Sequence, residues 1–241
     1  MNSKYETWLQ LEKDWIDVYC KKTIKMILFK VIPGVTLGLA VLMGILGFVG
    51  GADIQAALQA SMGGGAFGLS ISIIFCLCIV LNMRPSKFVK KISKNVKKLN
   101  LTDAEKEQLG TEMLEAYETK QKVFEYQFSA PGTSNATPAR FVLTPHFCFL
   151  EGSSPYSILV RLSDIERIKT SEEEKITTRR GAKLKTTYFY TLYCIGFYQR
   201  NRQERGVKGE YPDIAMGFLQ PELRTKVLKL LEETNIEILE K

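Results

Sequence analysis

His146 and Cys148 stand two residues apart in the stretch Leu-Thr-Pro-His-Phe-Cys. At that spacing two strand side chains share a face, and an imidazole beside a thiol is the start of a nucleophilic pair. Such a pair needs a third group to orient the base, and the local sequence offers none. A turn histidine with a structural role is the plainer reading. Glu172, Glu173 and Glu174 have no partner carboxylate at a predictable distance and read as surface. The five cysteines, Cys20, Cys76, Cys78, Cys148 and Cys194, contain no CxxC pair, and a single histidine cannot complete a Cys/His zinc site of recognisable spacing. Walker-type and HExxH motifs are absent. The expectation is a protein that is not an enzyme, with no catalytic residue, no metal and no cofactor. Its thiols are expected to stay unpaired in a reducing compartment.

Binding chemistry is more legible than catalysis. Arg84, Lys87, Lys90, Lys91, Lys94, Lys97 and Lys98 follow one another with no acid between them. They account for the whole formal net charge of +7, because the remaining 26 basic residues match the 26 acidic ones. A local excess of this kind argues against a nucleic-acid surface and for a membrane. Each lysine beside an anionic leaflet contributes about 1 kcal/mol at most. Two readings stand for this segment: its lysines bind anionic lipid, or they only set topology. A second cationic group, Arg179, Arg180, Lys183 and Lys185, lies in the turn at 177–185 and suits phosphate headgroups or a protein partner. The competing reading is a solvated hairpin tip neutralised by the three glutamates nearby. Arg200, Arg202, Arg205 and Lys208, interleaved with Gln, Asn and Gly, read as a mobile loop.

These residues must be positioned by a hairpin that dominates the chain. Residues 31–52 carry no charge and would extend about 30 Å as a helix, the depth of a bilayer's hydrocarbon core. A second charge-free run covers 54–83, and its apolar part is 66–83. Lys21, Lys22, Lys25 and Lys30 precede the first run and the lysine cluster follows the second, whereas the link between them holds Asp53 and no cation. The positive-inside rule then places both termini in the cytoplasm, the link outside, and the protein in the cell membrane with two spans. Small residues recur at four-residue spacing, Gly34 and Gly38 in one span, with Ala40 and Gly44 close behind, and Gly64, Gly68 and Ser72 in the other, which lets helices approach closely in lipid. The two spans are expected to pack through these stripes, and a homo-oligomer is compatible with them. Thr36, Ser70, Ser72 and two cysteines are the polar groups at mid-depth, few for a transport pathway.

Around the hairpin the chain divides into 1–25, a helix with both tryptophans; 26–83, the hairpin; 84–101, a basic amphipathic helix; 102–122, a connecting helix; and 123–241, a sheet domain. In the first segment Tyr5, Trp8, Leu9, Trp15, Ile16 and Tyr19 fall near one face. That face lies either on the inner leaflet or against the domain or a partner chain. In 84–101, Phe88, Ile92, Val96 and Leu99 oppose the lysines, as in a helix at a membrane interface. Thr102-Asp103-Ala104-Glu105 is a capping box opening a helix, slightly weakened by Gly110. From Val123 short β-branched and aromatic runs separated by turns read as antiparallel strands, and 221–235 reads as a closing amphipathic helix.

The elements at 141–150, 158–168, 188–198, 214–218 and 223–231, with Leu-Ser-Asp-Ile-Glu-Arg-Ile at 162–168, resemble the PH-like (pleckstrin-homology-like) domains of bacterial membrane proteins. The resemblance implies a bent antiparallel sheet closed by a C-terminal helix. The fold class expected is therefore α+β: a transmembrane helical hairpin followed by a cytoplasmic PH-like domain. Glu172 to Glu174 depart from what a phosphoinositide site would carry. The function expected is a membrane-anchored interaction module that binds a protein partner or the anionic inner leaflet. A two-span pore or transporter accessory subunit is the alternative.

Overall fold

A computed structural model describes residues 3–129, 131, 136–152, 157–180, 185–200 and 211–239, with the backbone alone at Arg179 and Arg180. Within it the chain forms two compact units. Glu12–Phe88 makes one, and Met1–Leu11 joins Val89–Lys241 in the other.

The first unit is helical. Helix α1 (Lys4–Met26) passes through a π-helical segment, Ile27–Val31, into α2 (Ile32–Val49). The wider turn falls just before Pro33, whose ring has no N–H to give the carbonyl four residues back, so a locally expanded ladder absorbs the proline without a break. Gly51, at φ +86°, takes the left-handed conformation that closes the link, and the Asp53 carboxylate caps α3 (Ile54–Asn82) by accepting from the Ala56 amide at 2.7 Å. Both long helices hold a stretch long and apolar enough to cross a membrane.

The second unit is a sheet domain faced with helices. Strands β1 (Val123–Phe128), β2 (Thr137–Leu143), β3 (Phe147–Glu151) and β4 (Ile158–Arg161) form one antiparallel sheet in chain order. A 3-10 turn, Leu162–Asp164, then leads to β5 (Ile165–Arg180), which pairs with β6 (Lys185–Gln199) over its full length. With β7 (Ile214–Phe218) and the short β8 (Glu237–Leu239), the second sheet has the order β7-β6-β5-β8, and β8 runs parallel to β5. Helix α6 (Pro221–Leu231) lays Val227, Leu228 and Leu231 into the main core, where Phe141, Leu150, Ile168, Phe197 and Phe218 meet.

A second core lies on the other face of β2 and β3. There Val142, Phe147 and Phe149 meet Leu109 and Met113 of α5 (Asp103–Thr119), Ile92 and Val96 of α4 (Pro85–Lys98), and Trp8. Both faces of these strands are therefore covered, which is why Ala139 to Leu143 and Phe147 to Glu151 are buried at every position instead of alternating. The domain's second core also needs chain from before the hairpin. Of the two placements open for the N-terminal face, Trp8 takes the one against the domain.

Three features differ from the sequence expectation. Residues 84–101 are not a free-standing interfacial helix, since Ile92 and Val96 close the domain's second core at 0% and 2% exposure. The buried stripe of α1 is Trp8, Glu12, Ile16 and Cys20, at every fourth residue, with Trp15 and Tyr19 beside it at intermediate exposure. Strand β5 is longer than expected, running on through Glu172 to Glu174 and into the expected turn as far as Arg180, and with β6 it continues well past the sheet.

Candidate functional site

Helix α4 carries the lysine face. At 100° per residue, Lys87, Lys90, Lys91, Lys94, Lys97 and Lys98 fall within an arc of about 120°, opposite Ile92 and Val96. All six are exposed. Lys87 also donates to Asn82 Oδ1 at 2.8 Å. The helix is held in place by its buried face and by Asn95, whose amide donates to Ser157 Oγ at 2.9 Å and to the Ser157 carbonyl. Ile92 and Val96, on its apolar side, are committed to the core, so the lysine face stands exposed without an apolar face open beside it.

The same core fixes α5. Thr102 Oγ1 accepts from the Glu105 amide at 3.3 Å, and the Glu105 carboxylate takes the Thr102 amide at 2.7 Å, completing the capping box. Glu105 Oε1 also receives Arg161 Nη1 at 2.7 Å, and Arg161 Nε reaches both oxygens of Asp164 at 2.9 Å. The two hydrogen bonds from Thr102, then Arg161, hold the Glu105 carboxyl below its ordinary value of 4.5.

The second cationic group is only partly described. Strand β5 brings Arg180 opposite Lys185 in register, while Lys183, Arg202, Arg205 and Lys208 lie outside the described residues. Lys185 is exposed. The three glutamates sit away from this end of the ribbon. Glu172 pairs with Arg224 of α6 at 3.2 Å, and Glu173 pairs with Lys175. Glu174, opposite Thr191, is six residues from Arg180, roughly 20 Å along an extended strand. The tip itself, at 181–184, lies outside the described residues.

The small-residue stripes separate into two sets. Gly64, Gly68, Ser72 and Cys76 are the buried residues of α3. A Cβ at Gly64 would lie 2.7 Å from the Leu39 carbonyl oxygen and 2.6 Å from Met43 Cγ, and one at Gly68 would lie 3.2 Å from Thr36 Cα. Gly44 faces Ser61 in the same seam. Gly34 and Gly38 are not brought into it: a Cβ there would have no neighbour within 4 Å.

The His146–Cys148 pair does not converge. His146 Nδ1 lies 2.6 Å from Glu112 Oε1, and its backbone amide donates to Glu112 Oε2, stapling the β2–β3 turn to α5. Cys148 is fully buried in the main core, where desolvation pushes its thiol far above the ordinary range. Burial likewise pushes the Cys194 thiol up to about 11, so neither is a ready nucleophile. Among the described residues no three His, Cys, Asp or Glu side chains gather as a metal site.

The register of β1, β2 and β3 also builds a charged cluster that no local pattern in the sequence marks. Arg140 is buried on β2 in register with Glu125 and Glu151, at 3.8 and 3.9 Å, and its guanidinium stacks on Tyr117 at 4.4 Å. Alternating strand residues bring these charges into one row, a relation that appears only once the register is known.

Comparison with protein-family models, with curated proteins and with solved structures finds no match.

Proposed function

We propose that the chain is a membrane-anchored, non-enzymatic interaction module, with α2 and α3 spanning the cell membrane and both termini in the cytoplasm. Two long apolar helices, a link holding Asp53 and no cation, and basic residues on the flanks support that placement. The reading of the soluble unit as PH-like is supported by its order: a four-stranded antiparallel sheet, then β5 to β7, then a helix that closes the core. The partner favoured by the charges is the anionic inner leaflet.

One observation carries this choice. The α4 lysines stay exposed on a single arc while the opposite face of the helix is sealed in the domain core. A cationic face without an available apolar face recruits anionic lipid electrostatically, and salt screens such an interaction.

The test is energy transfer from protein tryptophan to a labelled anionic lipid, with the full chain reconstituted in mixed vesicles. Enrichment of anionic lipid is expected at low salt and should fall when the six lysines are changed to Gln. Equal transfer from both proteins would reject the lysine face. Extraction of the protein by carbonate wash would reject the anchor.

A further inference from the structure

The outer half of the β5–β6 hairpin is a two-stranded ribbon with no other strand beside it among the described residues. Strand β8 pairs only with Arg167 to Lys169, and β7 only with Tyr193 to Phe197. From Glu173↔Leu192 to Arg180↔Lys185 the two strands have no third partner among the described residues, a span of roughly 25 Å. The root of this ribbon is well fixed. Arg224 of α6 pairs with Glu172 and stacks on the Tyr193 ring at 5.1 Å.

On the face that continues from the core side, Ile176 and Phe189 are directly opposite each other. They are 64% and 75% exposed. Core pairs such as Ile168↔Phe197 use the same geometry to bury both residues, so this pair has the form of a core contact left largely open by the described residues. Charge along the ribbon is polarised. The root holds Glu172, Glu173 and Glu174, while Lys175, Arg179, Arg180 and Lys185 follow outward with no acid among them.

We propose that this outer ribbon docks on an anionic bilayer surface, seating Ile176 and Phe189 at the interface while the exposed Lys185, two pairs further out on the same face, supplies matching charge at the end where it stands in register with Arg180. The proposal rests on the membrane-anchored reading above, which puts a bilayer within the same molecule's environment. A protein occupant fits less well. Two side chains, an aromatic one covering on the order of 200 Å², fall far short of the roughly 800 Å² that a stable interface takes from each partner. Strand addition is disfavoured too, because Glu173 and Lys175 place charge on the ribbon edge, a common guard against pairing.

The experiment uses the full chain with Phe189→Trp, reconstituted in vesicles containing bromine-labelled lipid. The wild-type chain, with Trp8 and Trp15, supplies the baseline. The introduced indole should be blue-shifted and quenched by brominated lipid when phosphatidylglycerol is present. Quenching should weaken in phosphatidylcholine alone, with Lys185→Glu, and with Ile176→Ser. All three sites are exposed, so these changes leave the core intact.

No quenching beyond baseline, with the protein still requiring detergent for extraction, would overturn the ribbon contact and leave the anchor standing. Release by carbonate would instead sink the anchor and this proposal together. A blue shift that grows with protein concentration in detergent would identify a second copy of the chain as the occupant and overturn the lipid assignment.

Discussion

Gly110 and Tyr5 meet backbone to backbone: a Cβ on Gly110 would lie 2.3 Å from the Tyr5 nitrogen. Helix α5 therefore receives the start of α1 at the one position where no side chain intervenes. Lys4 strengthens the crossing, its amide donating to Glu107 Oε2 at 2.9 Å. Gly110→Ala would gain about 1 kcal/mol of helix propensity. It must also move a backbone, and overpacking of this kind costs about 1–3 kcal/mol. Net destabilisation of the sheet domain is expected in urea titrations of the full chain. A stabilised variant would show that the crossing is loose.

Trp8 is the largest side chain in the second core, at 0% exposure, and meets Phe149 edge-on with centroids 5.4 Å apart. Trp8→Ala is expected to cost about 3–5 kcal/mol, the range for removing a large aromatic side chain from a core. Trp15→Ala should cost less, because its side chain is only partly buried. Chemical unfolding followed by far-ultraviolet circular dichroism separates the two. Equal losses would mean that the tryptophan face acts as one surface.

In the hairpin, Gly64→Val and Gly38→Val make a paired test. The first places a branched side chain where Leu39 and Met43 already sit, and the second meets open space. Gly64→Val should lower the melting temperature of the detergent-solubilised protein and reduce crosslinking between α2 and α3. Gly38→Val should leave both unchanged. Should Gly38→Val alter the apparent mass in detergent, that glycine would be shown to meet another copy of the chain.

Local relations were the readable ones. The Thr102–Glu105 capping box spans three residues, and the Gly64, Gly68, Ser72 and Cys76 stripe follows from the pitch of a helix, so both are written in neighbouring letters. Asp53, beside a glycine-rich link, was legible as the charge between the long runs but not as the cap of α3. What escaped depends on distant chain. The period of Ile92 and Val96 shows an apolar face, yet a leaflet and a protein core demand the same pattern, and only the fold decides between them. Gly110 looked like a flaw in a helix because its neighbour lies more than a hundred residues away. The Ile176–Phe189 pair was hidden for another reason: alternation reveals which residues share a face, not where the covering layer ends.

Acid should weaken the α5–β4 connection. Hydrogen bonds from the Thr102 backbone and side chain, followed by Arg161, hold the Glu105 carboxyl below 4.5 in the folded protein. A carboxyl with a lowered folded value binds fewer protons than in the unfolded chain, so its stabilisation is fully present above about pH 4.5 and is lost as pH falls through the folded value. Asp103, lowered by Lys106, contributes in the same direction. Glu105→Gln can still accept the Thr102 amide but cannot hold the Arg161 charge. The variant should therefore be less stable than wild type at neutral pH, lose less on acidification, and approach it in strong acid. Urea midpoints measured from pH 7 down to pH 3 test this, and two parallel curves would show that the Glu105–Arg161 pair does not contribute to stability.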